Sequence, residues 1–369
     1  SPVPIEAPLA LALAVALGRP AVQQRTRTGL LVFLGFGAVA ALVPWLAPDV
    51  SNRVLASLSI AAGTLVMAWR TAPRIAGAAL AALGLAGLVV ELASPGYRGS
   101  THGLLGRFLV RQHSSGTDLV SGATLHGYEP AGDGTRPIAT LYYARRGPFG
   151  DLFLLVQRRQ SVLRFGVAGL GIGSLSCTAE PGSQFTYFEI NPGVVRLAKD
   201  TTLFRTLTAC SPDAGVRLGD ARLTLEGETV GFDLLTLDAF NSDAIPTHLL
   251  TREAMALYRS RTAPDGLIAF HVSNRFLDLV PVVASLSSDA GWVSVRTADT
   301  VRMAEEPTLD DRAVWATVVA MAADTATLAP LVASGRWEWN LPTGGQVWTD
   351  DWTPLATALR LSRENVLGK

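Results

Sequence analysis

Four carboxylates stand just past the ends of short apolar runs, where a strand–helix alternating chain most readily does chemistry. Glu189 closes the run Phe185–Glu189, and Asp220 follows Val216–Leu218 after a single glycine. Asp238 directly follows Phe232–Leu237, and Asp243 comes five residues later. Ligands of open α/β sheets bind outside the carboxyl ends of the strands, so acids placed there face one site. Any one of them could be a helix cap or a solvated loop acid. Acids at three successive strand ends are more than chance capping.

Upstream, the run Leu163–Ala168 enters Gly169-Leu170-Gly171-Ile172-Gly173-Ser174. Glycines in such a turn let backbone approach a ligand, and a following helix start offers free N–H groups. Glu189 lies twenty residues beyond Gly169, a spacing at which an acid takes both ribose hydroxyls. Asp220, with Ala221 beside it, suits an adenine amino group. Residue 174 is Ser, so the last glycine of G-x-G-x-x-G is missing, and a nucleoside without pyrophosphate fits better than a dinucleotide.

Among the histidines, His271 falls at the fifth strand end and is the strongest catalytic candidate. His248 lies in the loop after Asp243, and His126 lies beside Gly127; for all three a structural role is the ordinary reading. No His pair has helical metal-ligand spacing, so no metal is expected. Asp350-Asp351, between Trp348 and Trp352, reads as a solvated turn or a pocket edge. Cys177 and Cys210 form no CxxC pair and are expected as small core residues without a disulfide framework.

Residues 96–148 carry alternating stretches at 108–112, 118–121, 123–128 and 138–143, read as a small antiparallel sheet. From 149 to 369, runs at 163–168, 185–189, 216–218, 232–237, 267–272, 292–297 and 314–321 alternate with helical stretches. That pattern predicts a Rossmann-like, doubly wound parallel sheet. Residues 1–95 differ in kind, with only nine charged residues. Three apolar runs, Gly29–Leu46, Val54–Trp69 and Ile75–Val90, suit membrane spans, and Ala7–Gly18 is a shorter fourth. No charge interrupts the three long runs, which argues against a pump or proton-coupled transporter.

The whole chain has 369 residues, a net charge of zero, 17% charged residues and a mean hydropathy of +0.29. These values exclude a disordered chain and a nucleic-acid binder acting through bulk positive charge.

Taken in order, several segments resemble the spermidine synthase (polyamine aminopropyltransferase) family, in its bacterial branch fused to membrane helices. They are FGVAGLGIGS (165–174), YFEINP (187–192), LGDAR (218–222), FDLLTLDAF (232–240), SDAIPTHLLT (242–251) and FHVSN (270–274). The resemblance covers roughly residues 100–360. It implies an S-adenosylmethionine-type nucleoside donor, such as decarboxylated S-adenosylmethionine, and methylthioadenosine as its product. Glu189 would hold the ribose, Asp220 would meet the adenine, and Asp238 would be the catalytic carboxylate. Asp243 would bind a cationic acceptor, and Tyr142 or Tyr143 would cover the site from the small sheet. The family also implies dimers or larger assemblies.

One position departs from the family. Its turn carries an Asp that binds the donor's aminopropyl amine, and here that residue is Ile172. The nucleoside residues are in place while the aminopropyl counter-charge is not, which leaves donor and acceptor open. A transferase acting on a polyamine is the first reading. A cyclase or methyltransferase acting on an apolar substrate is the second, and a non-catalytic nucleoside sensor the third. Arginines flank the apolar runs five against four, so charge does not orient them. Because adenosyl sulfonium compounds are cytosolic, a multi-pass protein with its catalytic domain facing the cytoplasm is expected.

Overall fold

The computed structural model describes residues 97–103, 106–121, 124–132, 136–158, 162–180, 182–239, 246–274, 276–298, 316–342 and 345–359. The expected membrane spans, Asp243 and part of the 314–321 run lie outside the described residues. Among the described residues no helix is long and apolar enough to cross a membrane. Residues 97–369 form one compact unit, divided from residues 1–96.

The small sheet is a four-stranded antiparallel meander, in order β1 (Tyr97–Gly103), β2 (Gly106–His113), β3 (Gly116–Ser121) and β4 (Thr124–Pro130). β1 was not expected, because its YRGSTHG sequence has no apolar alternation and carries two glycines. It holds because it packs on a helix: a Cβ at Gly99 would meet Leu203 and Leu197 at 3.2 and 3.3 Å. The expected strand at 138–143 is corrected. Residues 141–143 form a 3-10 turn, and Leu141 takes a φ of 58°, which a strand cannot accommodate.

The large sheet has eight strands. β5 (Arg164–Ala168), β6 (Gln184–Glu189), β7 (Gly215–Leu218), β8 (Phe232–Leu237) and β9 (Thr262–His271) are mutually parallel. β10 (Val293–Thr297), β11 (Val318–Ala322) and β12 (Trp337–Trp339) complete it, in the order β12-β10-β11-β9-β8-β5-β6-β7. β11 runs antiparallel to both β9 and β10. The chain reverses its direction of travel across the sheet between β5 and β8, which marks the switch point where ligands sit.

Both faces of the sheet are covered, which explains its near-continuous apolar strands. Phe165 and Val167 of β5, Leu234 of β8, and Leu267 and Ala269 of β9 enter one core. That core includes Phe149, Leu152 and Phe153 of α1 (Pro148–Gln157), with Phe153, Phe165 and Phe185 stacked in a row. Ala168, Leu235, Leu237, Ile268 and Phe270 turn the other way, toward Met255 and Tyr258.

Two helices begin just past the carboxyl edges of parallel strands, with a third, short one between them. α2 (Pro192–Lys199) is capped by Asn191, whose side chain accepts from the Gly193 N–H, and Pro192 occupies the first turn. A short helix, α3 (Thr206–Cys210), follows it, and α4 (Ala221–Glu226) starts after β7.

Cys177 and Cys210 are joined by a disulfide, which corrects the expectation of two unpaired core cysteines. The cause is tertiary. The 3-10 turn Ser174–Cys177, which leaves the glycine turn, packs against α3 and brings the two Cα atoms to 4.9 Å across 33 residues of sequence. Replacing Cys177 and Cys210 together with serine should lower unfolding free energy by roughly 2–5 kcal/mol, the usual range for a native bridge. Denaturant titration of the variant against the oxidised protein measures this, and coincident curves would show that the bridge does not stabilise the fold.

Candidate active site

Asp238 leaves β8 beside the glycine turn, with its side chain only 7% exposed. A carboxylate so far from water must be hydrogen-bonded, and its partners come from two other segments. His271, at the end of neighbouring β9, places Nδ1 2.8 Å from Oδ1. The Tyr142 hydroxyl donates to Oδ2 at 3.1 Å, and the Tyr143 hydroxyl donates to the same oxygen. The Tyr142 ring also packs on the His271 ring, with centroids 4.4 Å apart.

The two tyrosines are aimed by a constrained segment. The Thr140 hydroxyl donates to the Tyr128 carbonyl of β4 at 2.7 Å, and Thr178 donates to the Tyr143 carbonyl at 2.9 Å. Between these anchors Leu141 adopts its left-handed backbone. For a bulky residue such a backbone costs on the order of 1–3 kcal/mol and persists only where the surroundings impose it. Burial pushes the Tyr142 phenol well above its ordinary pKa, and the Asp238 charge and hydrogen bond push it the same way. The hydroxyl therefore remains a donor throughout the physiological range.

The turn between β5 and the Ser174–Cys177 3-10 turn needs its glycines. At Gly169 (φ 97°) a Cβ would strike the Asp238 carbonyl; at Gly171 (φ 54°) it would lie 2.7 Å from the His126 carbonyl of β4. Gly173 also has positive φ (82°) and packs on Leu207. These glycines admit protein backbone on two sides, a packing role that the ligand-approach reading had not included. Ile172 is buried and fills the space that Gly127 leaves, where a Cβ would come within 2.8 Å of it.

Glu189 is 8% exposed. It accepts the Leu170 N–H at 3.0 Å through Oε2 and the Asn191 N–H at 2.7 Å through Oε1. Burial raises its pKa, opposed by those backbone donors. Each oxygen keeps further lone pairs, so it can still receive a pair of hydroxyls. Nearby, Asn191 Nδ2 and Ser174 Oγ are buried without hydrogen-bond partners among the described residues. Ile190, Leu218 and Leu223 are exposed apolar side chains beside the Glu189 and Asp220 strand ends. Orphaned polar atoms next to an open apolar ledge fit the ribose and base of a nucleoside. Sequence reading had singled out neither Asn191 nor Ile190, since their signal is burial and exposure rather than residue type.

Asp220 stands just past the end of β7, as expected, and is engaged by its own surroundings. Its Oδ1 caps α4 by accepting the Arg222 and Leu223 N–H groups at 2.9 and 3.2 Å. Its Oδ2 meets His248 Nε2 at 2.8 Å. Ala221 is the half-buried first residue of that helix. Asp350 belongs to the same rim: Arg222 grips it with two bonds of 2.7 Å, and Thr251 donates to it at 2.8 Å. The Arg222 bond holds Asp350 below the usual carboxylate pKa.

No family model matches the chain. A polyamine aminopropyltransferase of Vibrio vulnificus is 35% identical over 118 residues, which is 30% of this chain. That match spans 36% of the relative's length. A probable spermidine synthase from Corynebacterium glutamicum superposes with a TM-score of 0.51 and 19% identity, over 70% of this chain and 98% of its own. The chain carries the spermidine synthase fold. A spermidine synthase from Thermotoga maritima is more distant, with a TM-score of 0.42 and 10% identity over 73% of this chain and 86% of its own. The fold joins a small antiparallel sheet to a Rossmann-like sheet, and here the Asp238 cluster lies where the two sheets meet.

Two outcomes can be measured. Glu189→Gln replaces one acceptor oxygen with an amide, so methylthioadenosine affinity should fall by about tenfold or more. Calorimetry reads this, and an unaltered Kd would remove Glu189 from the nucleoside site. The second concerns alkaline stability. Above pH ~10 unfolded Tyr142 releases a proton that the native site retains, so stability falls with rising pH. The buried Tyr187 and Tyr258 act in the same direction. Tyr142→Phe should therefore make unfolding free energy less steep between about pH 10 and 11; an equally steep profile would contradict the elevated phenol pKa.

Proposed function

We propose that the protein transfers an alkyl group from an adenosyl sulfonium donor to an amine, as an aminopropyltransferase does. The observation that carries this reading is the Asp238 cluster: a nearly buried carboxylate at the switch point, bonded to His271 and Tyr142, against a glycine turn with Glu189 at its far side. The partial match to a named polyamine aminopropyltransferase and the shared fold support it.

A bound adenosyl sulfonium supplies an alkyl carbon already activated to leave sulfur. Glu189 would hold the ribose, and the exposed apolar residues Ile190 and Leu218 would bracket the base. Asp238 would orient the amine in line with that carbon and receive its proton. The C–N bond forms as the C–S bond breaks, the electron pair leaves on a neutral thioether, and the proton passes to Asp238. His271 and Tyr142 fix the carboxylate so that its free lone pairs point at the amine.

Ile172 is apolar and buried, so the turn provides no counter-charge for a donor amine. A cyclisation or methyl transfer on an apolar substrate is the second reading, favoured by that one residue. Products separate the readings: methylthioadenosine marks transfer of the longer chain or ring closure, and S-adenosylhomocysteine marks methylation. Asp238→Asn should lower turnover by roughly 10²–10⁴-fold while leaving methylthioadenosine affinity within a few-fold. Unchanged turnover would exclude Asp238 from the reaction.

Membrane anchorage through the apolar runs of residues 1–95, and a homo-oligomeric state, belong to this proposal as well. Orientation meets two opposed arguments. The donor is made in the cytosol, whereas a Cys177–Cys210 bond suits an oxidising compartment. Protease access in vesicles of each orientation decides between them.

A further inference from the structure

The small sheet offers a polar group that this chemistry leaves unused. His126 lies on β4, its ring tilted against Phe108 with centroids 5.0 Å apart. Its carbonyl closes on Gly171, and the next residue, Gly127, makes room for Ile172. The strand thus holds His126 against the glycine turn. Nε2 is shielded from water and has no hydrogen-bond partner among the described residues. A buried nitrogen left unpaired asks for an explanation, and a partner that arrives from outside is one.

Two facts say what the partner is. Burial lowers the pKa of His126 against the opposing pull of the Asp238 charge. The ring is therefore neutral near pH 7, with one nitrogen able to accept, and it lies within the field of Asp238. Asp238 is itself heavily engaged, since Tyr142, Tyr143 and His271 already share its two oxygens. An amine carries more N–H groups than the remaining lone pairs of Asp238 can conveniently meet. Ile172 adds no acceptor on the turn.

We infer that His126 Nε2 is a second acceptor for the incoming amine, which is held between Asp238 on the large sheet and His126 on the small one. The inference rests on the alkyl-transfer reading, and the ligand class is a primary aliphatic amine. Suspension from two acceptors fixes the direction of the nitrogen lone pair, which in-line attack requires.

The test uses the full chain with isotope-labelled histidine, putrescine as the amine probe and methylthioadenosine as the nucleoside probe. The His126 ring signal is assigned by its loss in His126→Gln. Adding putrescine to the methylthioadenosine-bound protein should shift that signal; a signal unmoved at saturating putrescine would overturn the inference. In turnover, His126→Leu should raise the KM for the amine by about 10- to 100-fold, the range for a lost bond to a charged group. The decline in kcat should be smaller, and His126→Gln, which keeps an acceptor near Nε2, should recover most of the KM. Methylthioadenosine affinity should stay within about twofold, since the nucleoside site is separate. An unchanged KM, or a loss confined to nucleoside affinity, would assign His126 to packing alone. If wild type yields no methylthioadenosine with any amine and the His126 signal still moves, the transfer reading fails and the amine contact stands.

Discussion

A carboxylate almost removed from water determines what surrounds it. The Asp238 carboxylate, which has lost most of its water at a strand end, needs protein donors in its place. Those donors come from separate stretches of chain, His271 from the adjacent strand and Tyr142 and Tyr143 from the link between the two sheets. One charge thus ties the small sheet's exit to the carboxyl edge of the large sheet. The left-handed Leu141 is the cost of aiming two phenols at one oxygen, and Thr140 and Thr178 hold the segment that bears it.

The glycine turn is the second element held from several sides. The Asp238 carbonyl crowds Gly169, the His126 carbonyl crowds Gly171, and Leu207 crowds Gly173. Glu189 draws in the Leu170 N–H, and the disulfide fastens the residues just beyond the turn to α3. A turn so enclosed is set before any ligand arrives, which reduces the ordering cost of binding. It also means that a substitution at these glycines would disturb Asp238 and His126 together.

The parallel strands were readable because buried strands are short, apolar and bounded by turns; Phe232–Leu237 matches to the residue. The strand-end positions of Asp238 and Glu189 were readable for the same reason, since each closes or follows such a run. Other features depend on partners distant in sequence. The cap that Asp220 makes on α4 and its contact with His248 could not be read, because His248 is brought to it by tertiary folding. The 138–143 stretch alternates like a strand, yet residues 141–143 form a 3-10 turn whose tyrosines bond Asp238, a partner about 95 residues away. Cys177 and Cys210 meet only because α3 folds back on the turn. His126 looked like an ordinary strand residue until burial revealed its unpaired nitrogen.

Ile172 connects these observations. Its side chain is almost wholly buried against Gly127, so an acid at that position would need its own buried partners. With an apolar residue there, the turn brings no negative charge to the reaction space. In the proposed transfer, attraction for a cationic amine would then fall to Asp238, whose oxygens are shared among phenol and imidazole donors. Such a site discriminates less by charge density than by where its few acceptors lie. It would tolerate a less charged substrate than a site lined with acids, because fewer carboxylates would be left unpaired when that substrate bound. On the proposed reaction, the geometry of the amine nitrogen relative to Asp238, rather than the number of positive charges along its chain, would decide what this arrangement selects.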